Sequence, residues 1–225
     1  MSSEYMQAQY WDGSDIYTQR ESKLYMQLED IVYHSLMGEV YTTPKPGLVD
    51  RHDNGAHRDM NVNTFEESAV AIAPYIVKMF YCGYQRSEEE QSVFQRIRQI
   101  GVEAESEMFE ATGGVNTHKG LIFTMGILSA AVGICVRKHV SVKVEEVFAI
   151  SQRMTRDILQ KEFDEMKNHI PSSHGEYLYH IYGEKGIRGE AMQGFPVLRE
   201  VAYPSLKEYR RKAHNQNLSN INVLL

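Results

Sequence analysis

The chain has 225 residues, of which 42% are hydrophobic and 24% charged, a composition typical of a soluble globular protein. The chain has a net charge of −6, whereas a protein that binds nucleic acid non-specifically requires an excess of basic residues. Its two cysteines, Cys82 and Cys135, lie in apolar stretches without metal-ligand spacing, so we predict buried free thiols in a reducing cytoplasm.

The hydrophobic pattern follows a helical period along most of the chain, and no segment has the two-residue alternation of a strand between hairpin turns. Residues 1–22 are polar and acidic and lack the hydrophobic segment of a secretory signal, so we interpret them as an extension. Residues 23–225 are predicted to form one all-α domain. Its predicted helices cover residues 23–40, 64–81, 87–112, 117–137, 143–168 and 174–182, and a last helix starts near Pro204.

Local signals mark the predicted helix ends. Adjacent glycines, Gly113 and Gly114, are expected to end the third helix. The glycine-rich stretch "GEKGIRGEAMQGFP" at 183–196 is predicted to be a loop. The predicted N-terminal caps are Thr64 with Glu67, Ser87 with Glu90, and Asn116 alone.

The segment "GLIFTMGILSAAVGICV" at 120–136 has two interpretations, a membrane span and a buried core helix. It is near the lower length limit for a span, and no second hydrophobic segment accompanies it. Its small residues allow close helix packing in a soluble bundle as well as in a membrane. We therefore predict a buried central helix at about 117–137, surrounded by the other helices.

Three polar clusters interrupt the helical pattern, at 43–60, 103–120 and 173–191, and we call them the first, second and third polar clusters. In the second, Lys119 lies in the first turn of the predicted central helix, where a lysine opposes the helix dipole unless an anion is bound. Lys45, Arg51 and Arg188 add positive charge in glycine- or proline-bounded loops. These features favour a phosphate site, although Lys119 as a solvated lysine at a helix end is the simpler alternative.

Carboxylates in the same clusters favour a magnesium site, because oxygen ligands without thiols suit Mg²⁺ rather than zinc. Glu103 and Glu107 share one face of a predicted helix and Glu105 points away, so some of these acids are expected to be solvated surface. The histidines His52, His57 and His118 are too scattered for a zinc triad. The chain has no Walker, Rossmann or serine-elbow motif. The candidate magnesium ligands are Asp50, Asp59, Glu105 and Glu107.

Taken in order and spacing, the segments "TPKPGLVDR", "GAHRDM", "TGGVNTHKG", "YGEKGIRGEA" and "GFP" resemble the triphosphoribosyl-dephospho-CoA synthase family, also called CitG or MdcB. The resemblance covers roughly residues 25 to 205. It implies an all-α transferase that moves the triphosphoribosyl group of ATP to the 2′-hydroxyl of 3′-dephospho-CoA and releases adenine. The product is the prosthetic-group precursor for the acyl carrier protein of citrate lyase or malonate decarboxylase.

The resemblance also implies the site and its partners. ATP and 3′-dephospho-CoA are the expected partners and Mg²⁺ the expected cofactor, with no nucleic acid and no membrane, and self-association into a homo-oligomer stays open. Glu190 would pair with Arg188 or act as a base, while Asn116 and His118 would orient substrate or move a proton. The catalytic candidates are Asp59, Glu105, His118 and Glu190. The candidate substrate and phosphate ligands are Lys45, Arg51, Asn54, His57, Asn116, Thr117, Lys119, Gly120 and Arg188.

One departure from the family pattern leads to further expectations. Members usually continue past "GFP" into a helical stretch with an Asp-Thr-Asn type motif and then Arg-Gly-Gly, and this sequence contains neither. The resemblance therefore predicts a C-terminally shortened chain with an exposed apolar patch. Two alternatives to the transferase stay open: a Mg²⁺-dependent hydrolase of nucleotides or N-glycosides, and an inactive nucleotide-binding fragment.

Overall fold

A computed structural model describes residues 19–85, 89–138, 142–166, 171, 174–212 and 215–224. Within these ranges the chain forms helices and no strand, which confirms the all-α prediction. The helices are α1 (Gln19–Val40), α2 (Val62–Gln85), α3 (Glu90–Ala111), α4 (Lys119–Arg137), α5 (Val144–Met166), α6 (His174–Tyr182), α7 (Gly186–Met192), a π-helical segment (Val197–Ala202), α8 (Tyr203–Lys212) and α9 (Gln216–Leu224).

Helix α4 lies at the centre of the bundle and packs against α2, α3 and α5. Among the described helices it alone has the length and hydropathy to cross a membrane. Its fully buried positions include Ile122, Ile127 and Ile134, which join the main hydrophobic core. This position matches the predicted core helix, and Cys82 and Cys135 are buried and form no disulfide, as expected.

Glycines let α2 and α4 cross with their backbones in contact. A Cβ on Gly83 would lie 2.1 Å from the carbonyl oxygen of Ala130, and one on Gly133 would lie 2.1 Å from that of Phe80. Neither distance is possible for real atoms, so both positions require glycine. The small residues of the apolar segment therefore permit close helix packing in this bundle.

Contacts between helices fix their directions. Ser68 meets His118 and Gly83 meets Ala130, so α2 and α4 run parallel. Glu105 meets Lys119, whereas Glu90 at the other end of α3 meets Lys138, so α3 and α4 are antiparallel. Other contacts place the end of α1 beside the start of α2, and α7 against α5. One end of the bundle, here called the loop end, thus carries the 41–61 and 112–118 loops.

Several predicted helix starts were wrong by a few residues. Asn61, not Thr64, caps α2: its Oδ1 accepts the Thr64 N–H at 3.2 Å, and the Thr64 hydroxyl accepts the Asn61 N–H in return. Helix α3 begins at Glu90, and Ser87 lies outside the described residues. Helix α4 begins at Lys119 rather than 117, with the Asn116 side chain accepting the Lys119 N–H at 3.3 Å.

The predicted Gly-Gly ending of the third helix is confirmed. Helix α3 stops at Ala111, and Gly113 and Gly114 follow with φ of +64° and +93°. The Gly114 N–H donates to the Phe109 carbonyl at 2.7 Å, so the turn closes on the last helical turn.

The prediction of a loop at 183–196 was wrong, because residues 186–192 form α7 and a π-helical segment follows at Val197–Ala202. Ala191 and Met192 are buried, and the Thr155 hydroxyl of α5 donates to the Ala191 carbonyl at 2.9 Å. Packing on α5 therefore stabilises a helix that its glycine content disfavours.

Candidate active site

Asp50 organises the first polar cluster from inside. It is 4% exposed. One carboxylate oxygen accepts the His52 and Asp53 N–H groups at 2.8 and 2.9 Å. The other accepts the Thr43 hydroxyl at 2.8 Å and the Lys45 N–H at 3.0 Å. These hydrogen bonds hold the pKa of Asp50 well below its usual range despite burial.

We expect Asp50→Asn to lower the free energy of unfolding by about 2 kcal/mol. Each Asp50 oxygen receives two donors, at least one of them a backbone N–H, so in either orientation the asparagine NH₂ group would face a backbone N–H instead of accepting from it. Urea unfolding at pH 7 measures the change. Glu165→Gln is the matched control, because it removes one negative charge at an exposed position and should stay within about 0.5 kcal/mol. Equal effects of the two substitutions would contradict this account of Asp50.

Lys45 is buried in the same loop. Its ammonium group donates to the Glu39 carboxylate at 2.7 Å and to the Glu39 carbonyl at 2.9 Å, which ties the loop to the end of α1. On the other side Asn217 of α9 accepts the Thr43 N–H at 2.9 Å and donates to the Thr43 carbonyl at 2.6 Å. The loop is therefore held between the first and last described helices.

The other candidate site residues of the first polar cluster face solvent or are half-buried. Arg51 lies over the Tyr41 ring, 4.8 Å from its centroid, and Asn54 is exposed. The half-buried ring of His57 lies 3.9 Å from the Asp59 carboxylate, which is largely exposed. These side chains are accessible at the loop end.

Lys119 and Glu105 form the charged part of the second polar cluster. The Lys119 ammonium lies 3.0 Å from a Glu105 carboxylate oxygen, with the lysine side chain 55% exposed and the glutamate 28%. Asn116 is exposed beside them, and no atom lies within 4 Å of a Cβ built on Gly120. The surface beside the first turn of α4 is therefore open at Gly120, next to a carboxylate and an ammonium group.

His118 is buried between α2 and α4. Its Nδ1 lies 2.7 Å from the Ser68 hydroxyl, which in turn accepts a 2.7 Å hydrogen bond from Thr117. The Phe65 ring packs edge-on against the imidazole, with centroids 5.1 Å apart. Burial lowers the pKa of His118 to about 4, so the ring is neutral at pH 7.

We expect the stability of the protein to fall between about pH 6.5 and pH 4 because of His118. The unfolded chain takes up the proton near the ordinary value of 6.5, whereas the folded chain does so only near 4. The unfolded state therefore binds more protons in this window, at a cost of about 2–3 kcal/mol over the whole range. Chemical denaturation at several pH values measures this slope.

His118→Asn is expected to flatten that slope. The hydrogen-bonded Asp50, whose folded pKa is depressed, should lower stability only at more acidic pH, below its unfolded value of 3.8. A wild-type slope between pH 6.5 and 4 that persists in His118→Asn would contradict the assignment to this ring.

The third polar cluster lies beside the end of α5. Lys185 donates to Gln160 at 3.3 Å and its ammonium lies 5.0 Å from the centre of the Phe163 ring. Arg188 is half-buried and has no hydrogen-bond or ion-pair partner among the described residues. Glu190 accepts the Val197 N–H at 3.2 Å and does not pair with Arg188. Arg188 is thus a cation available to a ligand.

Comparison with known proteins gives the family. The family model described as ATP:dephospho-CoA triphosphoribosyl transferase, CitG, matches residues 25–225. The chain belongs to the CitG family. No solved structure matches it.

Relatives carry the corresponding name. The 2-(5''-triphosphoribosyl)-3'-dephosphocoenzyme-A synthase of Escherichia fergusonii is 38% identical over 200 residues, 88% of this chain and 66% of the relative. A probable synthase of the same name from Photobacterium profundum is 37% identical, over 86% of this chain and 64% of the relative. A third, from Streptococcus mutans, is 35% identical, over 88% and 71%. The chain thus spans just under two thirds of the length of the first two relatives.

Among the described residues of this CitG-family chain, no three His, Cys, Asp or Glu side chains lie close enough together to share a metal ion. Asp50 has both oxygens engaged by its own loop, while Glu103 lies 4.0 Å from Lys78. Glu107 is half-buried on α3, two positions after Glu105 and on a different side of the helix. A magnesium ion held by one or two carboxylates and substrate phosphates remains compatible with this arrangement.

Two residues of the loop end were not predicted from the sequence. Ser68 links Thr117 and His118, and the Glu66 carboxylate accepts the Tyr33 and Tyr41 hydroxyls at 3.1 and 3.4 Å. Burial and this carboxylate raise the pKa of both tyrosines. The available signal for Ser68 was a polar residue on the same helical face as Phe65 and Ile72. No local signal pointed to Glu66.

Proposed function

We propose that this chain transfers the 5-triphosphoribosyl group of ATP to the 2′-hydroxyl of 3′-dephospho-CoA and releases adenine. The observation that supports this proposal is the match of the CitG family model to residues 25–225. The product would be the prosthetic-group precursor for the acyl carrier protein of citrate lyase or malonate decarboxylase. Both substrates are soluble, and we place the reaction in the cytoplasm, without nucleic acid or membrane.

The triphosphate would bind in front of α4. Backbone N–H groups at a helix N-terminus and a nearby ammonium group are suited to phosphate oxygens. The surface beside Gly120 in the first turn is open, and the partly exposed Lys119 ammonium is next to it in sequence. Arg51 of the first polar cluster and Arg188 of the third would supply further charge, with Asn54, His57, Asn116 and Thr117 as neutral contacts.

Glu105 would hold Mg²⁺, with Asp59 as the candidate for a second carboxylate. Glu107 points to a different side of α3 from Glu105, so it does not suit the same ion. The Lys119 ammonium and the Glu105 carboxylate lie 3.0 Å apart. The ammonium is suited to a phosphate oxygen, and the carboxylate is suited to a divalent cation beside that oxygen. Magnesium would supply neutralisation of the triphosphate charge. Asp50, whose oxygens are occupied by loop donors, fits a structural role better than a ligand role, and the buried Lys45 likewise fits a role in holding the loop.

In the reaction, the 2′-hydroxyl oxygen would bond to C1′ of the ATP ribose as the bond from C1′ to adenine breaks. A carboxylate would take the hydroxyl proton, and adenine would gain a proton as it leaves. Asp59 and Glu190 are the candidate bases, and either would stabilise the positive charge that develops on the ribose. His118, neutral at pH 7, would donate a hydrogen bond rather than a proton.

The test is incubation of the purified chain with ATP, Mg²⁺ and 3′-dephospho-CoA, followed by chromatography and mass spectrometry. Adenine formed together with a triphosphoribosyl adduct of dephospho-CoA would support the transferase. Adenine formed without dephospho-CoA would favour a nucleotide hydrolase, in which water replaces the hydroxyl. A folded sample that binds ATP and forms no adenine would favour a nucleotide-binding fragment.

A further inference from the structure

A buried serine within a helix ordinarily donates a hydrogen bond to a backbone carbonyl of that helix, and Ser68 lies in such a position on α2. It is 0% exposed. Its hydroxyl instead makes two hydrogen bonds of 2.7 Å to the 112–118 loop, with Thr117 as donor and with Nδ1 of His118. Both partners lie about 50 positions away in the sequence, so tertiary packing of α2 against α4 brings these three side chains together.

The donor and acceptor in each of these hydrogen bonds follow from the number of protons available. A serine hydroxyl has one proton. Because Thr117 donates to the Ser68 oxygen, the Ser68 proton is directed to Nδ1 of His118. Nδ1 is then an acceptor, and the proton of the neutral ring lies on Nε2. This is also the tautomer that a neutral imidazole side chain prefers in water.

The Nε2 atom has no hydrogen-bond partner among the described residues. Among the described residues, Nη1 of Arg137 is the one side-chain nitrogen or oxygen that is both buried and without a hydrogen-bond partner. Nε2 of His118 lacks a partner, so it is not fully buried. Nε2 therefore keeps access to solvent although the His118 residue is only 5% exposed. The accessible edge of the ring belongs to the residue next to Lys119, at the start of α4.

We infer that Ser68, supported by Thr117, is a positioning residue that holds His118 in the Nε2–H tautomer. Nε2 then presents a permanent donor at the loop end, suited to an oxygen of an anionic substrate. This use of the donor rests on the proposed transferase function, whereas the tautomer itself does not. Ser68 acts through His118 and touches no substrate.

The experiment is long-range ¹H–¹⁵N correlation NMR of the full chain labelled in its histidines, at pH 7. The His118 signals are assigned by their loss in His118→Asn. We expect wild-type His118 to be almost entirely the Nε2–H tautomer. Ser68→Ala removes the donor to Nδ1, and Thr117→Val removes the donor that orients Ser68, so each should shift His118 to a mixture of tautomers. Thr117→Ser keeps a hydroxyl and should retain the wild-type tautomer.

A wild-type ring with the proton on Nδ1 would overturn the inference, whether or not Ser68→Ala folds. So would an unchanged tautomer in both Ser68→Ala and Thr117→Val. In the transferase assay Ser68→Ala should lower kcat about tenfold. If wild-type protein shows the expected tautomer and its loss in Ser68→Ala but forms no adenine, the transferase proposal fails and the positioning role of Ser68 stands.

Discussion

Gly133→Ala is expected to lower the free energy of unfolding by about 3–4 kcal/mol, at or above the upper end of the range for overpacking. The added methyl carbon would lie 2.1 Å from the Phe80 carbonyl oxygen and 2.8 Å from the Tyr84 nitrogen. Both are backbone atoms of α2, so relief requires the two helices to move apart. That movement would loosen the contact between α2 and α4 on which the core depends.

The matched control is Gly38→Ala on α1, where a Cβ meets no atom within 4 Å. This substitution should leave stability unchanged or raise it by up to about 1 kcal/mol, because alanine favours a helix over glycine. Midpoints of guanidinium unfolding, with m-values, measure both variants. If Gly133→Ala is as stable as Gly38→Ala, the close crossing of α2 and α4 is wrong.

Lys119→Ala is expected to lower kcat/KM for ATP about 100-fold, which corresponds to about 3 kcal/mol of lost binding to the transition state. The lysine is half-exposed, lies at the N-terminus of α4, and is close enough to Glu105 to share a Mg²⁺-triphosphate with it. Removal of the side chain should change stability little, because an ion pair this exposed contributes less than about 1 kcal/mol. Activity and stability should therefore respond separately.

Lys143→Ala is the control for loss of one positive charge, since Lys143 is exposed next to the start of α5, away from the loop end. Steady-state kinetics with ATP as the varied substrate, together with thermal unfolding, make the comparison. Kinetics of Lys119→Ala that match those of Lys143→Ala would remove Lys119 from the site. Partial recovery in Lys119→Arg would show that the charge, rather than the shape of the side chain, is required.

Much of the fold was predictable because its signals are local. The apolar period marked the long helices, and Gly113 with Gly114 marked the end of α3, because positive φ angles favour glycine whatever surrounds them. The start of α2 was mistaken because Asn61 and Thr64 both have side chains suited to capping, and only the backbone path distinguishes them. Helix α7 was missed because its stability comes from burial of Ala191 and Met192 on α5.

For the candidate site, too, some features were predictable from the sequence and others were not. The sequence by itself identified the polar clusters, the apolar helix α4 and the resemblance to the CitG family, since these depend on residue types and spacing along the chain. Only the tertiary structure decided which side chains meet. Asp50 hydrogen-bonds within its own loop, Lys119 pairs with Glu105, and Ser68 reaches His118. The latter two contacts depend on how α2, α3 and α4 cross, and crossing is set by glycine positions and core packing rather than by local sequence.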